Sequence, residues 1–453
     1  MRLNVASAIP RIYTHEGAPA KRISSEQELR RSVLSCLLWE REAYEDGEEI
    51  AARILRLAAE VPKETVAALA VEARSAFHLR HVPLLLLLAL VRKGGSGVAD
   101  AVAATIQRPD EMAELLALYW KDGRKPLPKQ LRTGLARAFG RFDEYQLAKY
   151  DREGPVRLRD VLFLSHAKPE TPEREALYKR VAQRELVVPD TWEVALSAGG
   201  DKRENWQRLI REGKLGYLAL LRNLRNMVEV GVDLALIRDA VVARKGAHRV
   251  LPFRYVAAAR ACPQMEPWID QALCEAVMSG PSLPGRTLIL VDVSGSMDAA
   301  LSAKSDLRRI DAAAALASVV SGDVRMFSFS AGRSVVRYQP GLGYTRSESG
   351  PVLVEVPPRR GMAGVDAIVR SQEHGGTLLG QAIQEANALP HDRLIVVTDE
   401  QSHDRVPDPV APLAYMINVA SARNGVGYGR WTHIDGFSEA VLRFISEVER
   451  ERG

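Results

Sequence analysis

Residues 287–297 read Thr287-Leu288-Ile289-Leu290-Val291-Asp292-Val293-Ser294-Gly295-Ser296-Met297. An apolar run this short, without the three-and-four spacing of an amphipathic helix, predicts a strand buried on both faces. Such strands belong to parallel sheets, whose ligands lie at the carboxyl ends of the strands. The loop at that end carries oxygen donors at every second position: Asp292, Ser294 and Ser296. Spacing by twos lets one carboxylate and two hydroxyls converge where the strand gives way to a turn.

Toward the C-terminus, strand and helix alternate. Further strands are expected over Val324–Phe329, Leu394–Thr398, Tyr415–Val419 and Thr432–Ile434, with helices over Ile310–Val320, Leu378–Ala388 and Ser438–Arg450. That order predicts a doubly wound parallel sheet. Two more donors join the first three: Thr377, after Gly375-Gly376, and Asp399, after the apolar strand Leu394-Ile395-Val396-Val397-Thr398. All five are hard oxygen ligands without cysteine or histidine, a set that suits Mg²⁺ or Mn²⁺ rather than zinc. Asp and Ser also cap ordinary turns, but five such elements in order favour the metal. A serine hydrolase fits less well. GxSxG is absent, no P-loop or dinucleotide-binding glycine fingerprint occurs, and His374 and His403 read as loop residues beside the proposed site.

Toward the N-terminus the grammar changes at Ser279-Gly280-Pro281-Ser282-Leu283-Pro284-Gly285, a run of helix breakers. We therefore expect domains 1–282 and 283–453. The first reads as all-α, opening at Ser24-Ser25 with Glu28 as a capping box, with a buried helix from Pro83 to Gly94-Gly95. Further helices are expected over Pro128–Tyr150, Leu158–His166, Pro172–Glu185, Lys214–Val230, Leu234–Arg244 and Pro252–Met278. Many short helices in series suggest a solenoid, although no fixed period repeats. With 46% hydrophobic residues in 453, the chain can bury ample core. Its longest apolar run, Val82–Val91, is too short to span a bilayer. No secretory signal opens the chain, so a cytoplasmic address without a membrane partner is expected. Cys36, Cys262 and Cys274 are odd in number and irregularly spaced, which predicts reduced packing residues.

Charge is uneven. Residues 1–285 hold 44 Lys and Arg against 37 Asp and Glu, and residues 121–250 hold 27 against 18. Such an excess can attract phosphates, although a solvated helical surface would look the same. Along it, Arg124, Lys125, Lys129, Arg132, Arg137, Arg141 and Lys149 form a basic stretch. On a helix from Pro128, Lys129, Arg132 and Arg137 share one side and Leu131, Leu135 and Phe139 the other.

The five donors match the metal-ion-dependent adhesion site of von Willebrand A domains. That resemblance implies that Ser294, Ser296 and Thr377 ligate the ion directly and that Asp292 and Asp399 hold it directly or through water. The N-terminal half resembles the Ro (TROVE-domain) family in three places. Asp160-Val161-Leu162-Phe163-Leu164-Ser165-His166-Ala167-Lys168-Pro169 is similar to the family's DLLRLSHLKP, Lys214–Met227 to its LLRNL helix, and Arg249–Ala258 to its HPFHILIAL stretch. With the metal motif in family order, the resemblance covers nearly the whole chain. It implies a ring of HEAT-like helical repeats closed by the von Willebrand A domain, and a non-enzymatic role. Its partners would be Y-like noncoding RNA, single-stranded RNA ends and a protein such as an exoribonuclease. The expected RNA-binding residues are Lys125, Lys129, Arg132, Arg137, Lys149, Arg152, His166 and Lys168; His166 matches the family's Y RNA-contacting histidine and Lys149 a lysine in its KYKQR segment. There this chain departs from the family: Asp151 and Glu153 replace a lysine and an arginine. The competing reading is a metal-dependent protein-adhesion module on a helical scaffold.

Overall fold

The computed structural model describes residues 13–14, 17–20, 23–34, 47–77, 79–151, 153–197, 199–247, 250, 252–278, 282–300, 307–339, 343–357, 359–420, 425–435, 441, 445 and 449. Two compact units emerge, one of Met1–Arg31, Arg41–Glu45 and Leu273–Gly453, the other of Ser32–Glu40 and Asp46–Ala272. In sequence the two units divide between Ala272 and Leu273, inside helix Glu266–Met278, and the chain up to Arg31 is grouped with the C-terminal unit. Within the run of breakers, strand β1 begins at Ser282 and accommodates Pro284 at a register irregularity between Leu283 and Arg286.

The helical unit is built from helices of mostly two to four turns that pack on near neighbours in the chain. Lys63–Ser75 lies against Val82–Lys93, and Val98–Thr105 against Lys129–Phe139. At the second contact, a Cβ on Gly134 would stand 2.6 Å from the Val102 Cβ. Glycine is tolerated inside that helix because the backbones need the space. The apolar stripe expected on this helix is the buried one: Leu131, Leu135 and Phe139 are fully covered.

Three helices expected to be continuous are broken. Pro128–Tyr150 resolves into Lys129–Phe139 and Glu144–Tyr150, the second capped by Asp143 accepting from the Gln146 amide at 2.7 Å. Lys214–Val230 divides at Asn223, and Pro252–Met278 at Cys262-Pro263, where proline cannot donate to the helix ladder. The first capping box also differs: Ser24 exchanges hydrogen bonds with Gln27, not Glu28.

In the C-terminal unit the strands are β1 Ser282–Asp292, β2 Ser321–Phe329, β3 Arg333–Gln339, β4 Gly343–Ser349, β5 Leu353–Val356, β6 Arg393–Thr398, β7 Leu413–Asn418 and β8 Thr432–Asp435. Six of them form one sheet in the order β5-β2-β1-β6-β7-β8, parallel except for the antiparallel edge strand β5. β3 and β4 make a separate hairpin that the sequence reading did not anticipate. Every residue of β6 is buried, as is every residue of the alanine-rich helix Arg309–Ser318. Of the expected helix Ser438–Arg450 only residues 441, 445 and 449 are described, and they are helical. Among the described residues no helix is long and apolar enough to cross a membrane.

Candidate metal centre and nucleic-acid surface

The sheet order reverses beside β1: the chain runs from β1 outward to β2, then returns to lay β6 along the other edge of β1. Val291 pairs with Val397, so the two apolar strands end side by side. Asp292 closes one and Asp399 follows the other, both fully buried. This is the position at which an open α/β sheet binds ligands.

The loops there are tightly tied. The Ser294 amide donates to Asp292 Oδ1 at 2.9 Å and the Thr398 hydroxyl to Asp292 Oδ2 at 2.6 Å. The Gln401 amide donates to Asp399 Oδ1 at 3.1 Å. The Ser294 and Ser296 hydroxyls lie 3.2 Å apart. A 2.8 Å bond from the Gly295 amide to the Gly375 carbonyl joins this loop to the one carrying buried Thr377. Burial, followed by the charge of Asp399, pushes the Asp292 carboxyl up to about 7. Two buried carboxylates that repel one another among neutral hydroxyls are a donor set that fits a small divalent cation. Of the two nearby histidines, His374 spends its ring nitrogens on Asp298 and the Val369 carbonyl, at 2.7 and 2.8 Å. His403 Nδ1 accepts from the Thr377 amide at 3.0 Å. Both brace loops.

Behind Asp399 lies a cluster that sequence reasoning missed. Glu400 has φ of +59°, an uncommon conformation for a non-glycine residue. Its carboxylate meets Arg31 Nη1 at 2.6 Å and His433 Nε2 at 2.5 Å, and accepts from the Gly427 amide at 2.7 Å. Against the desolvation of burial, Arg31 and His433 hold it far below the usual carboxylate range. His433, itself desolvated, is pushed up to about 9 by Glu400 and Asp435. The N-terminal segment adds two bonds to the same loop: the Thr14 hydroxyl and the Ala18 amide both donate to the Ser402 carbonyl, at 2.7 and 3.2 Å. Gly425-Val426-Gly427 was the available signal, because a Cβ on Gly425 would sit 2.2 Å from Glu400 Oε2.

The expected RNA-binding residues differ in what holds them. Lys125, Lys129, His166 and Lys168 are exposed. Among the described residues none of the three lysines has a carboxylate partner; Lys125 instead lies 4.5 Å from the Tyr119 ring centre. Lys149 lies 5.8 Å from the ring centres of Tyr145 and Tyr150. Arg132 is half-buried, with its Nε unpaired. Arg137 is bound to Asp100 at 2.5 Å. His166 ends helix Leu158–Ser165 in the left-handed region, with φ of 55°. Arg152 lies outside the described residues. The two acids that depart from the family pattern are held: Glu153 pairs with Arg157, and burial raises the Asp151 carboxyl.

Residues 178–271 match the TROVE domain family model. Over that segment the chain is similar to a TROVE domain. Over 93 residues it is 36% identical to telomerase protein component 1 of Mus musculus and 34% identical to that of Rattus norvegicus. These alignments take in 19% of this chain and only 4% of either relative. The crystal structure of the Deinococcus radiodurans Ro (Rsr) protein shares its fold, matching 93% of this chain and 99% of that one with a TM-score of 0.55 at 18% identity. The TROVE match includes the Lys214–Met227 and Arg249–Ala258 segments but begins after His166. The basic stretch therefore lies outside it.

Proposed function

We propose that the protein is a non-enzymatic RNA-binding protein of the Ro type, whose helical unit holds RNA and whose C-terminal unit binds one Mg²⁺ or Mn²⁺. The observation that carries the first part is the pattern of charge pairing. In this unit Arg80, Arg108, Arg157, Arg180, Arg208 and Lys214 are all paired with carboxylates. Lys125, Lys129 and Lys168, all exposed, are not paired with any carboxylate among the described residues. Unpaired exposed cations can exchange their counterions for phosphates, and that exchange makes affinity fall with salt. The finer expectations, resting on the family resemblance, are Y-like RNA and single-stranded RNA ends as ligands, a role in RNA quality control or stress response, and an exoribonuclease as protein partner in the cytoplasm.

Ser294, Ser296 and Thr377 would hold the ion, with Asp292 and Asp399 balancing its charge; the ion would offer an anionic oxygen of a partner a place to bind. The test uses the full chain. RNA filter binding from about 50 to 200 mM salt should show steeply falling affinity, and no binding at any salt would sink the reading. Asp292→Ala should abolish calorimetric Mg²⁺ binding and leave RNA affinity within about twofold, since single interactions rarely couple between separate units. Metal-dependent RNA cleavage that vanishes in this variant would overturn the non-enzymatic assignment.

A further inference from the structure

A cavity of about 550 Å³ in the helical unit is lined by Trp120, Arg124, Lys125, Asp160 and Phe163, among others. None of these except Lys125 was among the expected RNA-binding residues. Phe163 is 55% exposed, although it lies mid-helix among residues that bury their apolar side chains. Trp120 is fixed, since its indole Nε1 donates to the Lys125 carbonyl at 2.8 Å. Each ring already attracts a cation: the Arg124 guanidinium lies 5.3 Å from the Trp120 ring centre and that of Arg159 lies 5.8 Å from Phe163. Among the described residues, neither arginine nor Lys125 has a carboxylate partner. Asp160, the acid on the wall, accepts from the Arg157 amide at 2.9 Å.

Given the RNA-binding reading above, on which this inference rests, we propose that the cavity takes one unpaired nucleobase. Its sugar-phosphate flanks would lie on Arg124, Lys125 and Arg159. A base has an apolar face for Phe163 and Trp120, and its stacking tolerates any sequence. A phosphate inside would meet Asp160, so the anionic part of the ligand belongs at the basic rim. The volume lies within the range of small-molecule sites and exceeds that of a single base.

The experiment compares two hairpin RNAs, one with a single bulged adenosine and one with an abasic residue at the bulge, both titrated against the full chain. The base-bearing hairpin should bind about 5- to 150-fold more tightly, the range of one base stacked on an aromatic ring. Phe163→Ala should remove that preference and leave the abasic hairpin's affinity unchanged; the side chain's exposure makes misfolding a poor explanation. Quenching of Trp120 fluorescence by the base-bearing hairpin alone, absent in Trp120→Phe, supplies a second readout. Equal affinity of the wild type for both hairpins would overturn the cavity assignment while leaving RNA binding standing. So would an equal loss for both in Phe163→Ala. Failure to bind either hairpin at any salt would remove the RNA-binding reading itself.

Discussion

Around Glu400 the charges of Arg31, His433 and Asp435 are buried and answered, whereas between residues 120 and 170 several cations stand in water, some of them beside aromatic rings. Arg31 and Glu400, both with fully buried side chains, meet at 2.6 Å, with His433 and Asp435 completing the cluster. Lys129 and Lys168 are exposed and, among the described residues, without carboxylate partners. The contrast follows from dielectric environment. An unpaired charge inside is too costly to persist, so a buried network reports how the fold is held. Outside, pairing contributes little, so a cation left unpaired costs the fold nothing and remains available to a ligand.

The largest expected effect tests the first half of that contrast. Arg31→Met should leave Glu400 buried with one cation fewer. Breaking a buried pair costs about 3–5 kcal/mol, and because His433 remains we expect the lower end, about 3 kcal/mol, by urea denaturation of the full chain. Asp100→Ala, which removes the exposed partner of Arg137, should cost far less. Similar losses would erase the distinction between the two regions. The Arg31 variant would also show that the N-terminal segment is part of the C-terminal unit.

That segment marks where the sequence stops being legible. The strands around Asp292 and Asp399 were readable because a parallel core strand writes itself as an unbroken apolar run, and the donors sit at its end. The helices were readable as a class, but their breaks were not: Asn223 and Cys262-Pro263 interrupt periodicity that continues on both sides. Nothing local links Arg31 to Glu400, 369 positions away. On its own helix Arg31 reads as one more surface cation. The cavity was hidden for a similar reason, since Phe163 at helical spacing reads as core until its exposure is known.

A smaller effect follows from His433. Its folded value of about 9 lies above its ordinary 6.5. Its contribution is therefore complete below pH 6.5 and lost as pH rises through about 9, on the order of 3 kcal/mol. Glu400, held low, contributes above its ordinary 4.5 and loses that as pH falls through its folded value. The cluster thus stabilises most between about pH 4.5 and 6.5 and weakens toward 9. Asp292, raised from 3.8 to about 7, also loses stability as pH rises, but through about 7. Urea denaturation across pH should show the upper step in the wild type. It should be missing in His433→Asn, with the lower step kept. An unchanged upper step would remove His433 from the account.

The smallest effect separates cations on the exposed face itself. Arg137 and Lys168 carry the same charge, but Arg137 is bound to Asp100 at 2.5 Å and Lys168 has no carboxylate partner among the described residues. To contact a phosphate, Arg137 must first leave Asp100, and the freed carboxylate then repels the strand. Lys168 has only counterions to release. Each phosphate contact contributes about 0.7 to the slope of log affinity against log salt for a single strand. Lys168→Ala should lower the slope by about that amount, whereas Arg137→Ala should lower it by clearly less. Asp100→Ala should steepen it, because it frees Arg137 without adding a cation. Filter binding of one single-stranded RNA to the four proteins across a salt series reads all these slopes. Equal reductions for Arg137→Ala and Lys168→Ala would show that local pairing does not decide which cations meet RNA. A slope unmoved by Asp100→Ala would show that Arg137 lies off the path of the strand.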